Sequence, residues 1–165
     1  MRESRSTIFD SWYADHDLPL IGLLAEVKEA VSDELYGRLH ERGYGDIRPA
    51  HGCVFGFIDR TGGARLTALA DRSGLTKQAV GEAVADLERL GYVERVPDPG
   101  DGRAKIIGLS ERGREAATVA EEIFADIERR FADEVGDERF AEFRDTLQRL
   151  FVLTRTPART PAGVA

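Results

Sequence analysis

The chain has little of several things that would carry chemistry or lock a small fold. Among its 165 residues stand one cysteine, one methionine, one tryptophan and three histidines. A lone Cys53 excludes an intramolecular disulfide framework and fits a reducing compartment. His16, His40 and His51 match no zinc-ligand spacing, so no metal site is expected and the histidines are read as solvated or capping. Long hydrophobic runs are also missing. The longest apolar stretch, residues 18–25, is far too short to cross a bilayer, and residues 1–7 have no apolar run behind them that would make a secretory signal. A cytoplasmic protein with no membrane contact is the expectation. No nucleotide-binding glycine loop, nucleophile elbow or metal triad is present, so the chain reads as no enzyme and implies no cofactor.

Positive charge is the other scarcity. The net charge is −7, which by itself argues against nucleic acid as a partner. The distribution argues otherwise. Residues 60–105 hold eight Lys/Arg against seven Asp/Glu, a net of +1, which leaves −8 for the rest. An acidic body with a less acidic centre repels phosphates except along one face, and so favours one docking orientation.

What is present is an ordinary globular composition, 42% hydrophobic and 32% charged, suited to one domain with appended helices. Helical spacing of Leu20, Leu24, Val27, Val31, Leu35 and Leu39 predicts a first helix over 19–42, stopped at Gly43 and Gly45. Pro49 suits the first turn of a second helix over 49–58. A strand-like segment, 64–66, is expected to pair weakly with a later hairpin. A short third helix covers 67–72, and a fourth starts from the N-cap Thr76 and stops at Gly91. Strands at 92–97 and 104–109 flank a turn-rich tip. Ser110 caps a long fifth helix, broken at Gly136, and a sixth comes next with Phe140, Phe143, Leu147, Leu150 and Phe151. Residues 1–10 and 155–165 read as disordered. The fold class is mainly α with a small β-wing.

The central segment carries the functional signal. Small Ala70, then Gly74 four residues on, then Val80 six further, is the spacing of a helix–turn–helix. On the fourth helix Val80, Ala83, Val84, Leu87 and Leu90 share one face, and Gln78, Gly81, Glu82 and Ala85 lie opposite, with Lys77 beside them. A helix with short or polar residues outward fits the major groove. There Gln78 can pair with adenine and Lys77 can reach guanine or phosphate. Glu82 can accept from a cytosine amine, and Thr76 with the free N–H groups of the helix start can hold a phosphate. The hairpin tip, residues 98–103, is bent by Pro99, Gly100 and Gly102. Arg103 at its end suits a narrow minor groove, with Asp98 and Asp101 as supports. Arg95 and Lys105 on the two strands complete the expected DNA-binding set. A solvated helix face and a plain charged hairpin are the bland alternatives, and the two features in this order favour a winged helix.

These residues resemble the multiple antibiotic resistance regulator (MarR) family of bacterial transcription factors. The resemblance runs over about residues 18–153. Its specific parts are 66–80, the run Leu87-Glu-Arg-Leu-Gly-Tyr-Val-Glu-Arg95, the tip 98–103, and Leu109-Ser-Glu-Arg-Gly-Arg114, similar to the family's entry into its fifth helix. Gly100 stands where the family wing often carries a second arginine. The resemblance implies a homodimeric, signal-responsive winged-helix regulator, with a dimerisation domain from 11–48 and 110–154 and a DNA-binding lobe over 49–109. The apolar stripes of the first, fifth and sixth helices independently exceed what a small lobe can cover, which points to a second copy of the chain.

A two-fold dimer, a repressor reading a pseudo-palindrome on double-stranded DNA, is therefore expected. Cys53, within an apolar helix, is read as a buried inert thiol and not as an oxidant sensor. Trp12, Tyr13, His16, Phe55 and Phe57 form a possible pocket for a small aromatic or anionic effector, with ordinary packing as the alternative for each. A winged-helix protein-interaction module that has lost specific DNA binding is the second functional class.

Overall fold

The computed structural model describes residues 18–98 and 100–155, with backbone alone at 101–103 and 155. The expectations for residues 1–10 and for the tail beyond 155 lie outside the described residues. The chain divides into two compact units, Met1–Ile123 and Phe124–Ala165. The helical fold with one two-stranded wing is the one the sequence predicts.

In the first unit, α1 spans Leu20–Leu39 and buries Leu35 and Leu39, while Leu20, Ile21, Leu23 and Val27 stay exposed. Past Leu39 the chain makes a π-like turn, His40–Tyr44, that is kinked at Gly43 (φ 90°), so the helical path breaks at the glycine where the sequence places its stop. The expected single helix over 49–58 is a 3-10 turn, Pro49–His51, joined to a short α2, Gly52–Phe55. Proline at the start and glycines at 52 and 56 give this segment weak helical propensity, so it tightens at one end and stops early at the other. Helix α3 covers Leu66–Ser73 and α4 covers Lys77–Arg89, each slightly different in length from its expectation.

Strand β1, Val93–Asp98, pairs antiparallel with β2, Asp101–Leu109, from Val93 opposite Leu109 to Pro97 opposite Lys105. The ladder shifts register between Pro97 and Asp98. Ala64 exchanges two 2.9 Å backbone hydrogen bonds with Ile107, the weak pairing expected of segment 64–66.

The core of this unit forms where α2, α3, α4 and the wing base meet. Val54, Leu69, Val80, Val84 and Leu87 are each 0% exposed, and Ile107 closes the same core from β2. Burying such side chains contributes roughly 1.5–3 kcal/mol each. The unit ends in the first half of α5, Glu111–Val135, where Ser110 caps the helix by accepting from the Gly113 N–H at 3.0 Å. Gly113 is there for space. A Cβ on it would lie 1.9 Å from the Tyr92 carbonyl oxygen.

The second unit is a helical hairpin, the rest of α5 and α6, Asp137–Arg155, with the break at Gly136. Phe131 and Phe140 meet edge to face at 6.4 Å, and Arg144 pairs with Glu128 at 2.7 Å. Phe124, Phe143, Leu150, Phe151 and Leu153 remain exposed.

Two glycine substitutions are expected to change stability in opposite directions. Gly113→Ala gains helix propensity but drives its methyl into the Tyr92 carbonyl, so thermal unfolding should come earlier by more than about 1 kcal/mol. Gly81→Ala, in α4 with nothing within 4 Å of the new methyl, should unfold later by up to about 1 kcal/mol. Equal effects in calorimetry would refute the packing argument.

Candidate nucleic-acid interface

The helix–turn–helix is built as its spacing requires. Ala70 is 4% exposed at the crossing of α3 and α4. Gly74 takes the left-handed conformation (φ 72°) and returns its N–H to the Ala70 carbonyl at 3.0 Å. A side chain there would be strained, which is why the turn needs glycine. Thr76 then opens α4, with its hydroxyl accepting from the Ala79 N–H at 3.2 Å. This cap satisfies one of the helix's orphan donors and leaves Thr76, Lys77 and Gln78 exposed around its first turn.

Below the first turn, α4 turns Glu82 and Ala85 to solvent, with Gly81 half-buried between them. Gln78 donates from its amide nitrogen to Glu82 at 3.2 Å. The glutamine that would read a base is thus already held by a carboxylate one turn on.

One flank of α4 is fixed by a polar cluster that sequence spacing does not reveal. Asp86 accepts from Arg89 at 2.5 Å, from His51 at 3.0 Å and from Arg48. His51 is 1% exposed, and its Nδ1 accepts from the Arg48 N–H at 3.1 Å. Its proton therefore sits on Nε2 and is donated to Asp86, an assignment made from the network. Arg89 and then His51 hold the Asp86 carboxyl down at about 2, and Arg48 adds to this. Burial lowers the His51 pKa, and Asp86 opposes that only in part. A cleft of about 490 Å³ lies between this segment and α4, walled by Cys53, Leu75 and Ala79 with Arg48, His51 and Glu82 among its polar edges.

Across α4 lies the wing. Arg95 is exposed and donates from Nε to Glu88 of α4 at 3.1 Å. Lys105 is exposed opposite Pro97. Asp98 accepts from the Gly100 N–H at 2.8 Å through one oxygen and from Arg65 Nε at 2.7 Å through the other. The side chains of Asp101 and Arg103 lie outside the described residues, and so do Trp12, Tyr13 and His16.

The wing base rests on Tyr92, which is fully buried. Its hydroxyl donates to Asp46 and accepts from Arg112 at 2.9 Å, and the Arg112 guanidinium lies 4.6 Å over the ring. Burial, then the bond to Asp46, pushes the tyrosine up to about 12. Phe55 meets this ring edge-on at 6.1 Å and Phe57 is half-buried; neither lines the cleft beside α4. Cys53 donates from Sγ to the Ala50 carbonyl at 3.2 Å, and burial pushes its thiol up, away from the reactive thiolate. His40 is exposed, and among the described residues no group of three or more His, Cys, Asp or Glu could hold a metal ion.

Nothing in the sequence pattern singles out Arg48, Asp46, Arg65 or Arg112. Each acts through a partner at least 20 residues away, and only the Arg112 position, inside the entry to α5, has a local motif around it.

A capped, outward-facing helix beside a tethered hairpin defines a winged-helix DNA-binding architecture. A family model described as the MarR family matches residues 46–104, which hold the whole helix–turn–helix and most of the wing. Over this segment the chain is similar to the MarR family of winged-helix transcriptional regulators. Solved structures of similar fold include CouR of Rhodococcus jostii RHA1 bound to p-coumaroyl-CoA, 26% identical over 87% of this chain and 93% of its own, with a TM-score of 0.63. Another is the transcriptional regulator Tm0710 of Thermotoga maritima, 27% identical over 79% and 90%, TM-score 0.54. MarR of E. coli in its apo form shares the fold at 20% identity over 82% and 98%, TM-score 0.64. No curated protein matches the chain.

The cluster on α4 predicts a two-step loss of stability in acid. His51 is held neutral by the fold, so protons bind more readily to the unfolded chain and stability falls as pH drops below about 6.5. Asp86 has a folded value below its unfolded one, so its contribution is complete above about pH 4 and lost as pH falls through about 2. Denaturant titrations should show His51→Gln attenuating the upper limb and Asp86→Asn flattening the lower one. Both limbs unchanged in these variants would refute the assignment.

Proposed function

We propose that this chain is a homodimeric, effector-responsive repressor that binds a pseudo-palindromic operator in the cytoplasm and has no enzymatic activity. The observation that carries the reading is the pairing of an exposed, N-capped α4 with a wing held beside it in the same unit. In this reading Thr76, Lys77, Gln78, Gly81 and Glu82 enter a major groove. Arg95 and Lys105 meet the flanking phosphates, and Arg103 reaches the adjacent minor groove. Asp98 and Asp101 support the tip.

The DNA-binding lobe is taken as 49–109. Dimerisation is assigned to 11–48 and 110–154. Exposed Leu20, Ile21, Leu23 and Val27 on α1, with Phe143, Leu150, Phe151 and Leu153 on α6, support that assignment, because apolar faces of this extent call for a partner. Half-sites then lie about one helical turn, roughly 34 Å, apart. CouR, bound to p-coumaroyl-CoA, supports a small aromatic or anionic effector here. Its site is assigned to the aromatic group of Trp12, Tyr13, His16, Phe55 and Phe57.

DNA selected from a random pool and assayed by gel shift tests the core of the reading. Specific binding should weaken with salt, and Lys77→Ala should reduce the salt slope by about 1. Gln78→Ala and Arg103→Ala should each cost about 1–3 kcal/mol. Light scattering should give a dimer at micromolar concentration. A chain that selects no sequence would instead favour the protein-interaction module.

A further inference from the structure

We infer that Arg65 is a positioning residue for DNA readout: through Asp98 it sets the angle of the wing against the helix–turn–helix. The inference rests on the proposed DNA binding for its consequence, and on the geometry of the free protein for its cause.

Arg65 belongs to both parts at once. Its backbone is the N-cap of α3 (φ −72°, ψ 146°), and its carbonyl accepts from the Leu69 N–H at 3.1 Å. The residue before it, Ala64, is bonded twice to Ile107 of β2. Gly63 lies so close to that strand that a Cβ would sit 2.5 Å from the Ile107 carbonyl oxygen. The start of the helix–turn–helix is therefore laid flush along the wing, and the Arg65 side chain is launched from a fixed point.

That side chain ends on the wing tip. Nε and Nη2 of Arg65 approach the same Asp98 oxygen at 2.7 and 2.5 Å. The Asp98 side chain is only 12% exposed against 53% for Arg65, so the carboxylate is largely withdrawn from water and its pairing is stronger than that of a fully solvated pair. The other Asp98 oxygen accepts from the Gly100 N–H at 2.8 Å. One carboxylate thus shapes the tip turn and ties it to α3.

The tie falls where the hairpin needs it. The regular ladder ends at Pro97–Lys105, the register shifts between Pro97 and Asp98, and proline offers no N–H there. A two-stranded hairpin past such an irregularity has little of its own to hold its direction. The Arg65–Asp98 pair supplies that direction before DNA arrives, so less ordering is left to be done on binding.

The experiment uses the full chain with Arg65→Ala, Arg65→Lys, Asp98→Asn and the double variant Arg65→Ala/Asp98→Asn. Asparagine keeps an oxygen for the Gly100 N–H and removes the charge that Arg65 holds. In the free protein, wing amides over 96–106 should exchange hydrogen about tenfold faster in Arg65→Ala and in Asp98→Asn, with amides 111–123 unchanged. Unaltered wing exchange overturns the inference.

On the DNA selected by the wild type, each single variant should bind roughly three- to tenfold more weakly, and the double variant no more weakly than either. Arg65→Lys should fall between. Hydroxyl-radical protection should vanish at the minor groove and persist along the α4 footprint. Additive losses with minor-groove protection intact would make Arg65 a plain phosphate contact and overturn the inference. A wild type that selects no DNA sinks the functional reading alone, because the exchange measurement still decides whether Arg65 holds the wing.

Discussion

The winged-helix unit depends on the burial of one tyrosine. Tyr92 stands at the junction of α4, β1, the 44–46 loop and the start of α5. Its N–H donates to the Leu87 carbonyl at 2.9 Å and its carbonyl accepts from Ser110 at 3.0 Å. Its ring meets Tyr44 and Phe55 edge-on or tilted and carries Arg112 on one face. A buried hydroxyl without a partner costs about 1–3 kcal/mol, and here Asp46 and Arg112 both engage it. Among the described residues no buried side-chain polar atom lacks a hydrogen-bond partner. The end of α4, the root of the wing and the first turn of α5 are thereby referred to one rigid point. Gly113 fits the same logic, since only a residue without a side chain lets α5 begin against the Tyr92 carbonyl.

From that point α4 is aimed by two electrostatic ties on its opposite sides. On one side Asp86 gathers Arg48, His51 and Arg89, which pins the helix to the segment before α2. On the other, Glu88 receives Arg95 of the wing at 3.1 Å. Neither flank relies on apolar packing alone. The apolar face of α4 sets its depth, whereas the carboxylates set its rotation, because hydrogen bonds are directional and hydrophobic contact is not.

Elements whose cause is local are legible in the sequence. The turn at Gly74, the cap at Thr76, the cap at Ser110 and the break at Gly136 each come from one residue's own preference, and each stands where the spacing puts it. The buried face Val80–Ala83–Val84–Leu87 comes from helical period. Segment 49–58 reads as one helix because Pro49 signals a start. Gly52 and Gly56 weaken the helix beyond that proline, and packing against α3 and α4 settles the conformation of the segment. Least legible are the polar ties. His51 reads as a capping residue, and its Nδ1 does accept the Arg48 N–H, but its bond to Asp86 joins positions 35 apart. Asp98 is expected to support the tip from within the hairpin; its partner Arg65 lies 33 residues back, with no periodic pattern to connect them.

The same ties change what DNA binding must overcome. Gln78 is held by Glu82 and Arg95 by Glu88, so a base or phosphate that takes either cation or amide must displace a carboxylate first. Exposed pairs of this kind are worth about 0.2–1 kcal/mol each, small beside a good bidentate base contact at about 1–3 kcal/mol. A phosphate contact made without base readout gains less and loses proportionately more. Under the proposed reading, the acidic residues beside α4's outer face would therefore weaken indiscriminate binding more than a matched site. With a net charge of −7, specificity under the proposed reading would come from geometry held in advance, not from a surplus of positive charge.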